Sequence, residues 1–187
     1  MRRDVGRPDR IAAAALAVIS EKGLSGLTHR AVAAAAGVPL GSTTYHFKTL
    51  HDIVEAAFDA AMAQNTSYQE AWWEALPSGT DLPVALTDLL FDLAENAVDE
   101  VYVNYELSLA AVRRPQLHGK ANRWYNHLID LLAVDLTREV AVAVAAVYDG
   151  LLLRQVTTGS LPPRDEIESS FRRVCGRNAK KSGRGRL

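Results

Sequence analysis

The chain has 187 residues, 48% of them apolar and 23% charged, with a formal net charge of −1; this excludes a disordered or fibrous chain and suits one compact unit or a small domain fused to a larger one. The single cysteine, Cys175, excludes an internal disulfide and a Cys-built zinc site and fits a reducing, cytoplasmic setting. No stretch reaches ~18 uninterrupted apolar residues, so no membrane span is expected, and the opening MRRDVGRPDR lacks the apolar core of a secretory signal.

Ala and Leu dominate and the periods are helical, which predicts an all-α fold of about nine helices. The first helix is expected from about Pro8 to Lys22. Its Ile11, Ala15, Val18 and Ile19 follow the i, i+4, i+7, i+8 pattern, and Pro8 sits in the first turn, where proline is tolerated. Gly23 stops it and Ser25-Gly26 turns the chain. Thr28 is a good N-cap for a short helix from His29 to Ala36, and Gly37 ends that helix where a left-handed residue is wanted. Pro39 opens a second short helix, to about Phe47. A longer one starts near Leu50 with the apolar stripe Ile53, Val54, Ala57, Phe58, Ala61 and Met62.

Pro77-Ser78-Gly79-Thr80 breaks the chain. Further helices are expected at about Asp81–Ala97, Val101–Arg113, Gln116–Ala133, Thr137–Thr157 and Arg164–Gly176. The first of these carries Leu82, Leu86, Leu89, Leu90 and Leu93 on one side. Val140–Val147 is apolar around the whole helix circumference, so that helix must be covered on nearly all sides. The tail, residues 178–187, is polar and basic and predicted to be disordered.

Charge is distributed unevenly. Residues 1–50 hold seven basic and three acidic side chains, whereas residues 51–112 hold twelve acidic ones and no Lys or Arg. The basic front suggests a polyanionic partner, and the acidic middle would be repelled by it, so any contact is made end-on.

Two helices of about eight residues, joined by Gly37-Val38 behind a longer first helix, have helix-turn-helix spacing. Short helices are marginal alone, so Val32 and Phe47 must pack on the first and fourth helices. The exposed side of Pro39-Leu40-Gly41-Ser42-Thr43-Thr44-Tyr45-His46-Phe47 is small and hydroxylated. Ser and Thr hydroxyls bond base edges or phosphates, and a Thr methyl can meet a thymine methyl. Gly41 lets the backbone come close to DNA. Tyr45, His46 and Lys48 suit phosphate oxygens, and Thr28 at a helix N-terminus turns backbone N–H groups toward one.

These residues carry a resemblance. Leu24 to Ala33, then Ala36-Gly37-Val38, then Gly41 to Phe47 look like the N-terminal signature of TetR-type transcriptional regulators, with the detailed match over about residues 8–60. The resemblance implies a helix-turn-helix head at residues 1–49 and a helical ligand-binding and dimerisation body at residues 50–177. It places Thr28, His29 and Arg30 on the helix that contacts backbone phosphate. It places Pro39, Leu40, Gly41, Ser42, Thr44, Tyr45 and His46 on the recognition helix and its entry. Thr43 falls where a buried Leu is usual and Phe47 on the buried aromatic. Two positions depart from the pattern: Thr44 stands where Tyr is frequent, and Leu50 where Lys is usual, with Lys48 as the replacement phosphate contact.

The resemblance further implies a homodimer paired through its last two helices, a palindromic double-stranded DNA operator and a small-molecule inducer. All three Trp and five of the six Tyr lie between residues 68 and 148. An apolar pocket with polar handles would draw on Phe58, Met62, Trp72, Tyr102, Tyr105, Trp124 and Tyr148. The acidic middle permits a cationic ligand, although most of its carboxylates are expected at the surface.

A catalytic reading is weak. Ser42 and His46 share a helix face with Asp52 nearby, but a solvent-facing short helix offers no oxyanion site or dry pocket. No histidine has companions at metal-ligand spacing, and no cofactor is expected. The alternative to a repressor is a helical small-molecule-binding or adaptor protein without sequence-specific DNA binding.

Overall fold

Helical periodicity is realised throughout the computed structural model, which describes residues 6–176. Among them are nine α-helices, three short 3-10 turns and no strand. The helices are α1 (Arg7–Lys22), α2 (His29–Ala36), α3 (Leu40–His46), α4 (Leu50–Ala75), α5 (Leu82–Asn96), α6 (Val98–Ala110), α7 (His118–Leu132), α8 (Arg138–Thr158) and α9 (Arg164–Cys175). The basic tail 178–187 and the N-terminal Arg2 and Arg3 lie outside the described residues.

The chain forms two compact units. The first takes the chain up to Asn65 together with Tyr102–Asn122. Ile11, Ala15, Val18 and Ile19 of α1, Val32 of α2 and Ile53, Ala57 and Phe58 of α4 are buried in it, so the stripes read from periodicity are core. Leu107 of α6 and Leu117 are buried there as well. Three polar links join residues remote in sequence. Leu24 N–H donates to Glu106 Oε2 at 2.6 Å, Gln116 Nε2 meets His51 Nε2 at 2.8 Å, and Lys120 Nζ meets Asp59 Oδ2 at 2.5 Å.

The second unit takes Thr66–Val101 and the chain from Arg123 onward. Here α5 packs on α8 and α9, and α8 on α9. Leu86, Leu89, Leu90 and Leu93 of α5, Tyr148 and Leu152 of α8, and Ile167 and Phe171 of α9 form its core. Cys175 is buried and free. At the surface Arg172 bonds both Asp81 and Glu168 at 2.7 Å. Arg164 pairs with Asp88 and lies over the Phe91 ring, 5.4 Å from its centroid.

One boundary needs correction. A single helix from Gln116 is interrupted: Pro115–Leu117 is a 3-10 turn, and α7 proper starts at His118. Proline at 115 drives Arg114 out of the helical region, to φ −136° and ψ 85°. Helix α8 is covered on one side within this chain. Its Ala141, Val144, Ala145, Tyr148 and Leu152 are buried, but Val142, Ala143, Ala146, Gly150 and Leu153 are exposed. One chain covers only half of the apolar circumference. By length and composition α8 would also reach across a membrane, although no uninterrupted apolar run announces it; only 28% of its most apolar stretch is buried.

Candidate nucleic-acid interface

The entry to α2 is built by Thr28. Its extended backbone (φ −141°) turns the side chain back, and Oγ1 accepts the Ala31 N–H at 3.0 Å. This is the N-cap expected from the residue type. Thr28 and Arg30 are exposed; His29 is half-buried, and its Nδ1 lacks a hydrogen-bond partner. At the other end Gly37 adopts φ 62°, and the N–H groups of Gly37 and Val38 reach Ala34 O and Ala33 O at 3.2 and 3.0 Å. That paired cap requires a left-handed residue, which glycine accepts without a Cβ penalty. It sets the direction in which the chain enters α3.

In α3 one side chain faces inward. Thr43 is fully buried, and its hydroxyl donates to Leu40 O at 2.8 Å. A threonine thus stands in a leucine-like site because its polar atom is satisfied within its own turn. Phe47, expected as a buried aromatic, is half-buried. The opposite face is open: Leu40, Gly41, Thr44, Tyr45 and Lys48 are exposed, with Tyr45 73% accessible. Leu40, Gly41, Thr44 and Tyr45 follow i, i+1, i+4, i+5 and so form one helical strip, with Lys48 just beyond the extended Phe47 that ends α3. Pro39 is exposed at its start, and Ser42 and His46 are half-buried at its flanks. Tyr45 stands edge-on to His46, with ring centroids 5.1 Å apart. The Thr44 hydroxyl makes only long contacts, 3.3 and 3.5 Å, to Gly41 O and Leu40 O, so little holds it back from an outside acceptor.

Behind the strip, Thr49 and Asp52 form a reciprocal cap on α4. Asp52 N–H donates to Thr49 Oγ1 at 3.2 Å and Thr49 N–H to Asp52 Oδ2 at 2.9 Å. The Thr49 backbone bond, with the hydroxyl bond next, holds the Asp52 carboxyl below the usual carboxylate range. The sequence signal for this cap, Thr-x-x-Asp before an apolar run, was present and unused. Leu50 is the exposed first residue of α4, and Lys48 is the exposed cation next to it.

The seven residues assigned to a ligand pocket divide between the units. Phe58 is fully buried in the core of the first unit, where Met62 and Tyr105 are half-buried. Tyr102, in the same unit, donates to Glu106 Oε1 at 2.9 Å. Trp72, Trp124 and Tyr148 belong to the second unit, where Tyr148 is buried. Trp72 lies against Trp73, with centroids 6.0 Å apart. Nine of the twelve carboxylates of the acidic middle are exposed, as expected. The carboxyl that sequence reasoning passed over is Asp149, half-buried on α8 and pushed up to about 6 by burial. Among the described residues no group of three His, Cys, Asp or Glu side chains could hold a metal ion.

Comparison with known proteins bears on both parts of the chain. Residues 11–57 match the family model for bacterial regulatory proteins of the tetR family. Residues 78–177 match the model for the tetracyclin repressor-like C-terminal domain. The HTH-type transcriptional regulator CymR of Pseudomonas putida is 33% identical over 115 residues, which is 61% of this chain and 55% of that protein's length. The multidrug binding protein EbrR, in its complex with imidazole, superposes with a TM-score of 0.81 at 37% identity, over 94% of this chain and 98% of EbrR. A TetR family member from Streptomyces coelicolor, SCO1917, gives 0.80 at 37% identity over 91% of this chain and 98% of its own.

Proposed function

Because the chain belongs to the TetR family of bacterial transcriptional regulators, we propose that it is a ligand-responsive repressor, a homodimer that binds a palindromic operator in the cytoplasm and is released by a small-molecule inducer. The observation that carries the reading is Tyr45, 73% exposed on a short helix whose inward side is anchored by Thr43. A large aromatic ring that keeps most of its surface in solvent, beside an exposed glycine, threonine and lysine, contributes little to packing. In a major groove the same strip meets phosphates and base edges.

In this reading Thr28, His29, Arg30, Tyr45, His46 and Lys48 address phosphates and position the head. Gly41, Ser42 and Thr44 reach base edges, and Pro39 and Leu40 line the entry to the groove. Phosphate contacts supply most of the affinity and α3 the sequence choice. One short helix reads few base pairs, so a second copy is needed, with half-sites about one helical turn apart or more.

The half-covered α8 supports that second copy. Val142, Ala143, Ala146, Gly150 and Leu153 give an apolar stripe with small residues at its centre, where two backbones can approach closely. For the inducer, EbrR is a relative solved with ethidium and with proflavin. Trp72, Trp124 and Tyr148, all of the second unit, are the proposed ligand residues of this chain. Release requires the inducer to prefer one spacing of the two heads, since equal affinity for both shifts nothing. The lever is α4, a continuous 26-residue helix that begins at the head and ends in the body.

A mobility shift with the DNA upstream of the protein's own gene tests the proposal. A retarded band that Thr44→Ala redirects to other sequences is the expected result. No retardation at any salt concentration, from protein that is dimeric by light scattering, would leave a ligand-binding protein without operator recognition.

A further inference from the structure

The first unit is more than the N-terminal helices: Tyr102–Asn122 belongs to it, and three links fix how that segment lies. Glu106 holds the Leu24 N–H at the turn between α1 and α2. Gln116 Nε2 lies 2.8 Å from His51 Nε2, in the first turn of α4, and Lys120 Nζ lies 2.5 Å from Asp59 Oδ2. About 12 Å of helix separate His51 from Asp59. The chain from Gln116 to Lys120 therefore climbs α4 away from its N-terminus. What precedes Gln116, the turn at residues 111–115, lies at the end of α4 that joins Lys48 and α3.

That turn is ordered from within. Ala111 and Leu117 are buried, His118 Nε2 bonds Ala111 O at 3.0 Å, and Arg114 Nη1 donates to Ala110 O at 3.3 Å. Between these anchors Val112 is held 73% exposed, with exposed Arg113 beside it. Residues 107–122 contain Arg113, Arg114, His118 and Lys120 and no Asp or Glu. Lys120 is neutralised by Asp59. Arg113, like Arg30 and Lys48, faces solvent without a carboxylate partner among the described residues. An unpaired guanidinium adds nothing to the stability of the turn, but a turn already ordered loses little freedom when it binds.

We propose that this turn is a second DNA contact, with Arg113 on a backbone phosphate that flanks the base pairs read by α3. The proposal rests on the operator-binding reading and assigns to DNA a residue far in sequence from the helix-turn-helix. A guanidinium takes a phosphate with two parallel N–H donors. The carboxylates at this end of α4 are engaged: Asp52 by Thr49, Glu55 by His51 and Asp59 by Lys120. Such a contact adds affinity and fixes the seating of the unit, and it leaves the choice of bases to α3.

The test is binding of the full-length protein to a labelled duplex from upstream of its own gene, followed by fluorescence anisotropy across a range of salt concentrations. Arg113→Gln is expected to lower affinity about 3- to 10-fold at low salt and to reduce the salt slope by about one per subunit, with the same preferred sequence. Arg113→Lys should keep the slope, because the charge remains. Combined with Lys48→Ala, the loss should be additive, since the two side chains engage separate phosphates. Trimming the duplex to the half-sites should abolish the difference between the wild type and Arg113→Gln. Melting temperature and the oligomeric state in light scattering should not move. An unchanged slope in Arg113→Gln, or a difference that survives trimming, overturns the proposal. So does a lost slope that accompanies an altered oligomeric state, which would make the turn a contact between copies. Operator binding with an unchanged slope sinks this inference alone, whereas wild-type protein that binds no DNA at any salt concentration sinks the repressor reading and this contact with it.

Discussion

Glu106 is where the fold makes its most specific local prediction. Both oxygens are engaged: Oε2 accepts Leu24 N–H at 2.6 Å and Oε1 accepts the Tyr102 hydroxyl at 2.9 Å. Leu24 opens the turn that follows Gly23, whose φ of 68° directs the chain from α1 toward α2. A β-carbon on Gly23 would meet Glu106 Oε1 at 3.3 Å, so the carboxylate fits closely against a bare backbone. Glu106→Ala leaves one part-buried backbone donor without its partner. Hydrogen bonds to a charged group contribute about 1.5–3 kcal/mol, and partial exposure argues for the lower half, about 2 kcal/mol. For a chain of this size that corresponds to a fall of roughly 4–8 °C in melting temperature. Glu106→Gln keeps an acceptor for Leu24 and should lose about half as much. Thermal unfolding followed by circular dichroism gives the magnitude, and amide exchange at Leu24 localises it. A Leu24 amide that exchanges freely in the wild type, with a melting temperature unmoved by Glu106→Ala, refutes the reasoning.

Other substitutions separate recognition from stability. A β-carbon on Gly41 meets nothing within 4 Å, so Gly41→Ala should hold or raise stability, by up to ~1 kcal/mol from helix propensity, yet weaken operator binding; unchanged affinity in a titration would show that DNA does not approach that backbone. Lys48→Ala should reduce the salt slope of operator binding by about one per subunit, and an unchanged slope removes Lys48 from the contacts. Ala146→Glu puts a charge on the open face of α8 and should give monomers in sedimentation analysis while α1–α3 remain folded; a persisting dimer would place the interface elsewhere. Asp149 carries a folded-state pKa of about 6, above the ordinary carboxylate value. Its burial therefore costs nothing below the unfolded pKa, and the cost grows as pH rises through 6. Asp149→Asn should match the wild type in denaturant melts at pH 4 and exceed it at pH 8 by at most about 3 kcal/mol; a gain at pH 4 equal to that at pH 8 would contradict the assignment.

Much of the head was legible because its signals are local. Thr28 three residues before Ala31, Gly37 after a run of alanines, and the i, i+4, i+7, i+8 row of Ile11, Ala15, Val18 and Ile19 each fix backbone geometry within a turn or two. The Thr49–Asp52 cap was equally local and could have been read from its spacing. The body was harder. Val140–Val147 announces an apolar helix, yet nothing in its periodicity says that only Ala141, Val144 and Ala145 of that stretch turn inward within one chain. That choice belongs to the neighbours α5 and α9.

By itself the sequence determined the helical class, the turn between α2 and α3 and the side of α3 left facing outward, because each follows from interactions within a few residues along the chain. Tertiary structure alone decided that Glu106 would meet Leu24 across 82 residues. It also decided that Gln69 Oε1 and the Nε2 atom of half-buried His127 would be shut from solvent without hydrogen-bond partners and that burial would lift the Asp149 carboxyl. Burial and long-range pairing depend on which helices become neighbours in space, and no short-range spacing encodes that.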